Sequence, residues 1–202
     1  MGITFLKFMD PINILVLVAL IFFTTANWSG SQKSFKGKVS AVSRRASGWV
    51  QTVPPNVLGI SALLQYLGVF PILNFGFFGL EPDSSVRIVC LVLFILFSIT
   101  HLLSFKSLGN NYSIEILLYK EHKLVTTGLY GIVRHPQYLS QLLADLSVGV
   151  ALLSMPVVLV TLLLSIPMLI IRAKKEDEML LSHFKDQFAT YQKKTGFFIP
   201  FL

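Results

Sequence analysis

The chain is poor in charge. Of its 202 residues only 13% are Asp, Glu, Lys or Arg, about half the share of a soluble domain. It has a single cysteine, Cys90, which excludes an internal disulfide and any cysteine-built zinc cluster. Low-complexity tracts and internal repeats are missing too. With 53% hydrophobic residues and a mean hydropathy of +0.69, the chain must bury apolar surface, so disorder is excluded. There is no G-x-G-x-x-G loop, no Walker loop, no H-E-x-x-H and no G-x-S-x-G. The four histidines, at 101, 122, 135 and 183, have no ligand-set spacing, so no metal is expected. What remains is a multi-pass membrane protein whose first partner is the lipid bilayer.

A bilayer-crossing helix needs about 20 apolar residues. The first such run is Pro11 to Ala26, read as a retained helix because its flanks make a poor signal peptide. The second is Pro55 to Leu80, with a bend expected at Pro71, and the third is Val86 to Phe105. The apolar stretch from Tyr138 to Ile171 is too long for one crossing, and Ser154-Met155-Pro156 interrupts it. Proline removes a donor and blocks the preceding turn, so a hairpin of two short spans is expected. The fold expected is all-α and polytopic, with about five spans in a single domain over 1–202. Residues 1–105 form its N-terminal spans and 106–202 its functional part.

Five spans leave 27–54, 106–137 and 172–202 on one side. These segments hold fifteen of the seventeen Lys and Arg residues, with only Lys7 and Arg87 opposite. Such a bias puts the three segments in the cytoplasm. The net charge of +7 is therefore a topology signal, with anionic headgroups as a secondary partner and no nucleic acid. The second and third of these segments, 32 and 31 residues long, are unusually long for connectors and rich in reactive side chains.

In Arg134-His135-Pro136-Gln137-Tyr138, proline suits the first turn of a helix. Arg134 and His135 then flank a helix N-terminus. That arrangement is either an anion site or an interfacial belt of snorkelling Arg and Tyr. Arg172 and Glu176 are spaced i, i+4 at the end of the last span. They form either an ordinary helix pair or a fixed cation facing a lipid-borne anion. The residues beyond, Leu180, Leu181, Phe184, Phe188 and Tyr191, could equally turn toward lipid. Asp145, with Gln141 one turn before it, is the one acid inside a span, either a functional group or an interhelical contact. His101 poses the same choice, and Cys90 reads as packing.

Several blocks carry a family resemblance. They are Leu108-Gly-Asn-Asn-Tyr-Ser113, His122-Lys-Leu-Val-Thr-Thr-Gly-Leu-Tyr130, Arg134-His-Pro-Gln-Tyr138, Arg172 with Glu176 to Leu181, and Phe184 to Tyr191 with a closing Pro200. Together they resemble the isoprenylcysteine carboxyl methyltransferase family, in order and spacing, around a short helical hairpin. The length resembles its compact prokaryotic members. The resemblance implies an integral-membrane enzyme that uses S-adenosylmethionine and releases S-adenosylhomocysteine. It implies a cytoplasmic cofactor pocket built from the third-to-fourth span segment and the tail, without a Rossmann domain. By position, His122, Lys123, Leu124, Val125, Tyr130, His135, Pro136, Gln137, Tyr138 and Glu176 would bind the cofactor. Arg172 would be the catalytic residue that meets the substrate carboxylate. Glu115 and Glu121 receive no role. The implied acceptor is a prenylated or similar lipidic carboxylate. The implied membrane is the plasma membrane in a prokaryote or the endoplasmic reticulum in a eukaryote.

The chemistry is compatible. A carboxylate with a pKa of about 4 is already a nucleophile at neutral pH, so methylating it needs alignment and dehydration rather than a base. A phospholipid N-methyltransferase is the rival reading. Its amine acceptor would need a base, with Asp145 or His135 as candidates. A non-catalytic channel or scaffold is a third reading, and it would rely on Asp145 and His101.

Overall fold

The computed structural model describes residues 10–37, 42–70 and 83–200, the side chains of 29–37 excepted. The described residues form seven α-helices: α1 Pro11–Gly37, α2 Val53–Val69, α3 Ser84–Leu108, α4 Pro136–Ala151, α5 Met155–Val160, α6 Ile166–Phe184 and α7 Asp186–Lys194. Two short strands, β1 Val42–Arg45 and β2 Leu117–Tyr119, pair antiparallel.

Three apolar helical stretches are long enough to cross a membrane: Pro11–Trp28, Ser84–Asn111 and Met155–Phe184. At 17 and 16 residues, α2 and α4 reach about 25 Å, short of the roughly 30 Å hydrocarbon core. Three of the expected spans, the first, third and last, thus lie on helices of crossing length, and the second and fourth lie on shorter helical legs. Residues 71–80 of the second, with the bend expected at Pro71, lie outside the described residues.

The legs pack around a core built from Val16, Leu20 and Phe23 of α1, Val69 of α2, Leu91 and Phe94 of α3, Val148 and Ala151 of α4, and Val157 of α5. Cys90 packs against this core. The outward faces are apolar as well. Leu15, Val18 and Phe22 of α1, Val89, Val92 and Leu96 of α3, and Leu163 are all exposed. Apolar outward faces of this kind suit lipid.

The expected hairpin forms between α4 and α5. The chain turns at Leu152–Ser154, with Leu153 at φ 55°, and Pro156 sits in the first turn of α5. A Cβ on Gly149 would come within 2.8 Å of Val158 Cγ2, so the hairpin legs can close only over a glycine.

Past the hairpin, helix continues to Phe184, so the last span and the start of the tail are one rod. Within it, Thr161–Ser165 widens to a π-turn immediately before Pro167. The proline lacks the N–H that an α-helical ladder needs, and a π-turn accommodates that loss.

Arg87, one of the two cations counted opposite the basic segments, is a buried tie. Its guanidinium donates to Asp10 Oδ2 (2.5 Å), Asn13 Oδ1 (3.0 Å) and the Ala151 carbonyl (2.9 Å). Asn13 donates in turn to the Val69 carbonyl at 3.1 Å. One cation therefore joins the ends of four helices and caps the C-terminus of α4.

Candidate active site

Three segments meet at one end of the bundle: 42–52, 109–135 and 172–198. Their meeting agrees with the expectation that all three lie on one side. The second and third of them, with Asn27, Pro55, Leu58 and His101, line a cavity of about 350 Å³, at the small end of the roughly 300–1,000 Å³ typical of ligand sites.

α6 supplies the charged wall. Arg172 is 5% exposed. Its Nε donates to the Tyr138 hydroxyl at 2.8 Å and lies 3.6 Å from Glu176 Oε1, while Nη2 donates to the Ile114 carbonyl. The Tyr138 hydroxyl donates to Glu176 Oε1. Two edges of the guanidinium are thereby fixed. The remaining atom, Nη1, is buried without a hydrogen-bond partner. A buried donor left unmet is costly, so this atom marks where an anion fits.

The start of α4 is held by Asp177, one residue after Glu176. Asp177 Oδ1 meets His135 Nε2 at 2.9 Å, and Oδ2 accepts from Arg134 Nε at 3.1 Å. Arg134 Nη1 also donates to the carbonyls of Gln192 (3.2 Å) and Thr195 (2.5 Å), and the Arg134 amide donates to Gly196 O at 2.8 Å. Arg134 is therefore neither an interfacial anchor nor a free anion site: it locks the tail onto the entry to α4. The His135 ring stacks on Tyr138, its plane tilted by 8°, with the edge of Phe197 behind it.

The opposite wall is the 109–131 segment. Asn111 clamps the backbone of Lys123, donating from Nδ2 to its carbonyl (2.9 Å) and accepting its amide at Oδ1 (3.1 Å). Gly128, at φ 63°, opens the short 3-10 turn that buries Tyr130. Tyr191 donates its hydroxyl to the Tyr130 carbonyl at 2.6 Å. Burial, and next the charge of Glu176, hold the Tyr130 phenol above its ordinary range. Burial pushes the Tyr191 phenol up to about 12.

Of the eleven residues singled out from the sequence, ten line this cavity: His122, Lys123, Leu124, Val125, Tyr130, His135, Gln137, Tyr138, Arg172 and Glu176. Pro136 does not; it is buried in the first turn of α4.

Phe188 is fully buried and Tyr191 is 7% exposed, and both line the cavity. A tail helix turning those rings to lipid is therefore ruled out, although Leu181 is exposed. Asp145 is 1% exposed and does not line the cavity. It accepts from Gln65 (2.7 Å), Gln141 (2.8 Å) and Ser61 (3.4 Å), which makes it a contact between α2 and α4. His101 lines the cavity with Nδ1 3.1 Å from the Gln137 carbonyl. Sequence reasoning missed Asp177, Tyr112 and Glu115, which also line the site. The acidic run 176–178 was a visible signal for Asp177, since helical neighbours in such a run face different partners.

A bundle of membrane-length apolar helices with a partly charged cavity at one end defines an integral membrane protein with a candidate ligand site. The model of the isoprenylcysteine carboxyl methyltransferase (ICMT) family matches residues 89–182. That match spans just under half of the chain, which is similar to the family there, and together with the apolar helices it supports a membrane methyltransferase. A solved structure, that of the eukaryotic intramembrane Ras methyltransferase ICMT, is similar in fold. Its TM-score is 0.60 at 20% identity, over 96% of this chain and 70% of that one. No curated protein matches the sequence.

Proposed function

We propose that the protein transfers a methyl group from S-adenosylmethionine to the carboxylate of an isoprenylcysteine or similar lipidic acid, with the donor entering from the cytoplasm. The buried, unmatched Nη1 of Arg172 is the observation that carries this reading. A guanidinium fixed on two edges presents its third to a carboxylate with little ordering cost, and guanidinium–carboxylate bonds are charge-assisted.

The residues present fit the donor. Glu176 would accept from its hydroxyl or ammonium groups, and the backbone of 122–125, held by Asn111, would line its bed. Bound there, the donor supplies an electrophilic methyl on a sulfonium. The stacked rings of His135 and Tyr138 close the wall beside Glu176 and help exclude water. Arg172 orients the acceptor oxygen. No side chain has to remove a proton, because a carboxylate is ionised at neutral pH.

N-methylation would require a base. Asp145 is a poor candidate, because its carboxylate is enclosed by three donors away from the cavity. The same enclosure speaks against its lining a channel.

A labelled-methyl assay comparing a farnesylcysteine analogue with phosphatidylethanolamine tests the proposal. Label is expected in the first. Transfer to the amine alone would reverse the assignment. Calorimetry should show S-adenosylhomocysteine binding to the folded protein. Arg172→Ala and Glu176→Ala should each lower kcat/KM by about 100-fold, a loss of roughly 2.7 kcal/mol. Near-normal rates and KM values would remove both from the site.

A further inference from the structure

We propose that Gln51, in the loop between α1 and α2, is a positioning residue for Arg172. Gln51 closes the 3-10 turn Trp49–Gln51 and does not line the cavity. Its side chain nevertheless makes three hydrogen bonds to backbone across the top of the site. Nε2 donates to the Ile116 carbonyl at 2.9 Å and to the Ala46 carbonyl at 3.1 Å. Oε1 accepts the Ile116 amide at 3.0 Å. One side chain thus meets both backbone groups of Ile116, as a neighbouring strand would. The Ala46 amide adds a fourth bond to the Ile116 carbonyl at 2.9 Å.

Ile116 is 3% exposed, in a small core with Ala46, Val50 and Met179. Two residues upstream lies the Ile114 carbonyl, which receives Arg172 Nη2. Between them, Glu115 pairs with Arg45 of β1 at 2.9 Å.

The chain of contacts therefore runs from the first loop, through 114–116, to the guanidinium. Without Gln51, the 114–116 backbone loses two of its ties to the loop, and the carbonyl that sets the guanidinium plane is free to shift. A misplacement of about 1 Å at a reacting group can cost on the order of 100-fold. Gln51 lies outside the 89–182 family match, so this brace is supplied by the N-terminal half.

The inference rests on the reading of Arg172 as the acceptor's carboxylate partner. The test uses the full-length protein, Gln51→Met, Arg172→Lys and the double variant. Kinetics with a farnesylcysteine analogue are measured alongside melting temperatures in detergent. Gln51→Met should lower acceptor kcat/KM by about tenfold, while the Kd for S-adenosylhomocysteine moves less than about twofold. Lysine has no fork to reach the Ile114 carbonyl. In the Arg172→Lys background, therefore, Gln51→Met should cost less than about twofold more, and the two melting shifts should fall short of their sum.

Additive melting shifts overturn the brace. So does an unchanged acceptor kcat/KM in Gln51→Met when Arg172→Lys is itself impaired. If Arg172→Lys turns over normally while the melting shifts are non-additive, the brace stands and the carboxylate reading of Arg172 falls.

Discussion

Asp177→Asn isolates the lock between α6 and the entry to α4. The substitution keeps the shape and removes one charge. Asp177 receives His135 Nε2 at 2.9 Å and Arg134 Nε at 3.1 Å, and the Arg134 and Asp177 side chains are 14% and 12% exposed. Solvent screening is therefore weak. Asparagine retains one acceptor oxygen, so one of the two donors keeps a neutral bond while the other faces an amide N–H. A hydrogen bond to a charged group is worth about 1.5–3 kcal/mol, and breaking a buried pair costs about 3–5 kcal/mol. The working value is thus about 3 kcal/mol. For a chain of this length it corresponds to a Tm lower by roughly 6–12 °C. Thermal unfolding in detergent measures it. Lys175→Ala is the control: its 2.7 Å pair with Glu178 is 43% and 64% exposed, and a surface pair of that kind is worth about 0–1 kcal/mol. If Asp177→Asn melts within about 2 °C of the parent, the Asp177 bridge does not hold the tail.

Three further outcomes are expected. Asp145→Ala strands the Gln65 and Gln141 donors and should destabilise by about 2–4 kcal/mol. Asp145→Asn keeps an acceptor and should retain methyl transfer within about threefold; a collapse in rate with normal melting would restore Asp145 as a chemical group. Gly149→Ala sets a methyl 2.8 Å from Val158 Cγ2 and should cost about 1–3 kcal/mol, with Val158→Ala restoring much of it; no loss on melting would show that the hairpin is looser than described. With Tyr191 raised to about 12 by burial, the folded protein holds a proton that the unfolded chain releases near pH 10. Stability from this group is therefore complete below pH 10 and fades as pH rises toward 12. Tyr191→Phe should flatten that alkaline decline in melting scans, and an unchanged slope would contradict the assignment.

The parts of this protein that could be read without coordinates are those set by the solvent it lives in. Apolar runs near 20 residues and the Pro156 break follow from hydrocarbon thickness and backbone chemistry, so the apolar helices and the hairpin were legible. Motif spacing around Arg134–Tyr138 and Arg172–Glu176 was legible for a related reason: a helix start and an i, i+4 pair are local geometry. What stayed hidden is long-range. Arg87 counted only as a far-side cation because nothing in its neighbours announces Asp10 and Asn13, more than 70 residues away. Arg134 looked like an interfacial anchor because its partners, Asp177 and the carbonyls of 192 and 195, arrive with the tail. Phe188 and Tyr191 carry the amphipathic pattern of a surface helix, and only the fold decides which surface they cover. Gln51 is the extreme case. A lone polar residue in a loop has no pattern at all, yet it meets backbone 65 residues on. Local rules thus locate the groups that do the chemistry, while the groups that hold them still come from distant segments and need the assembled chain to be seen.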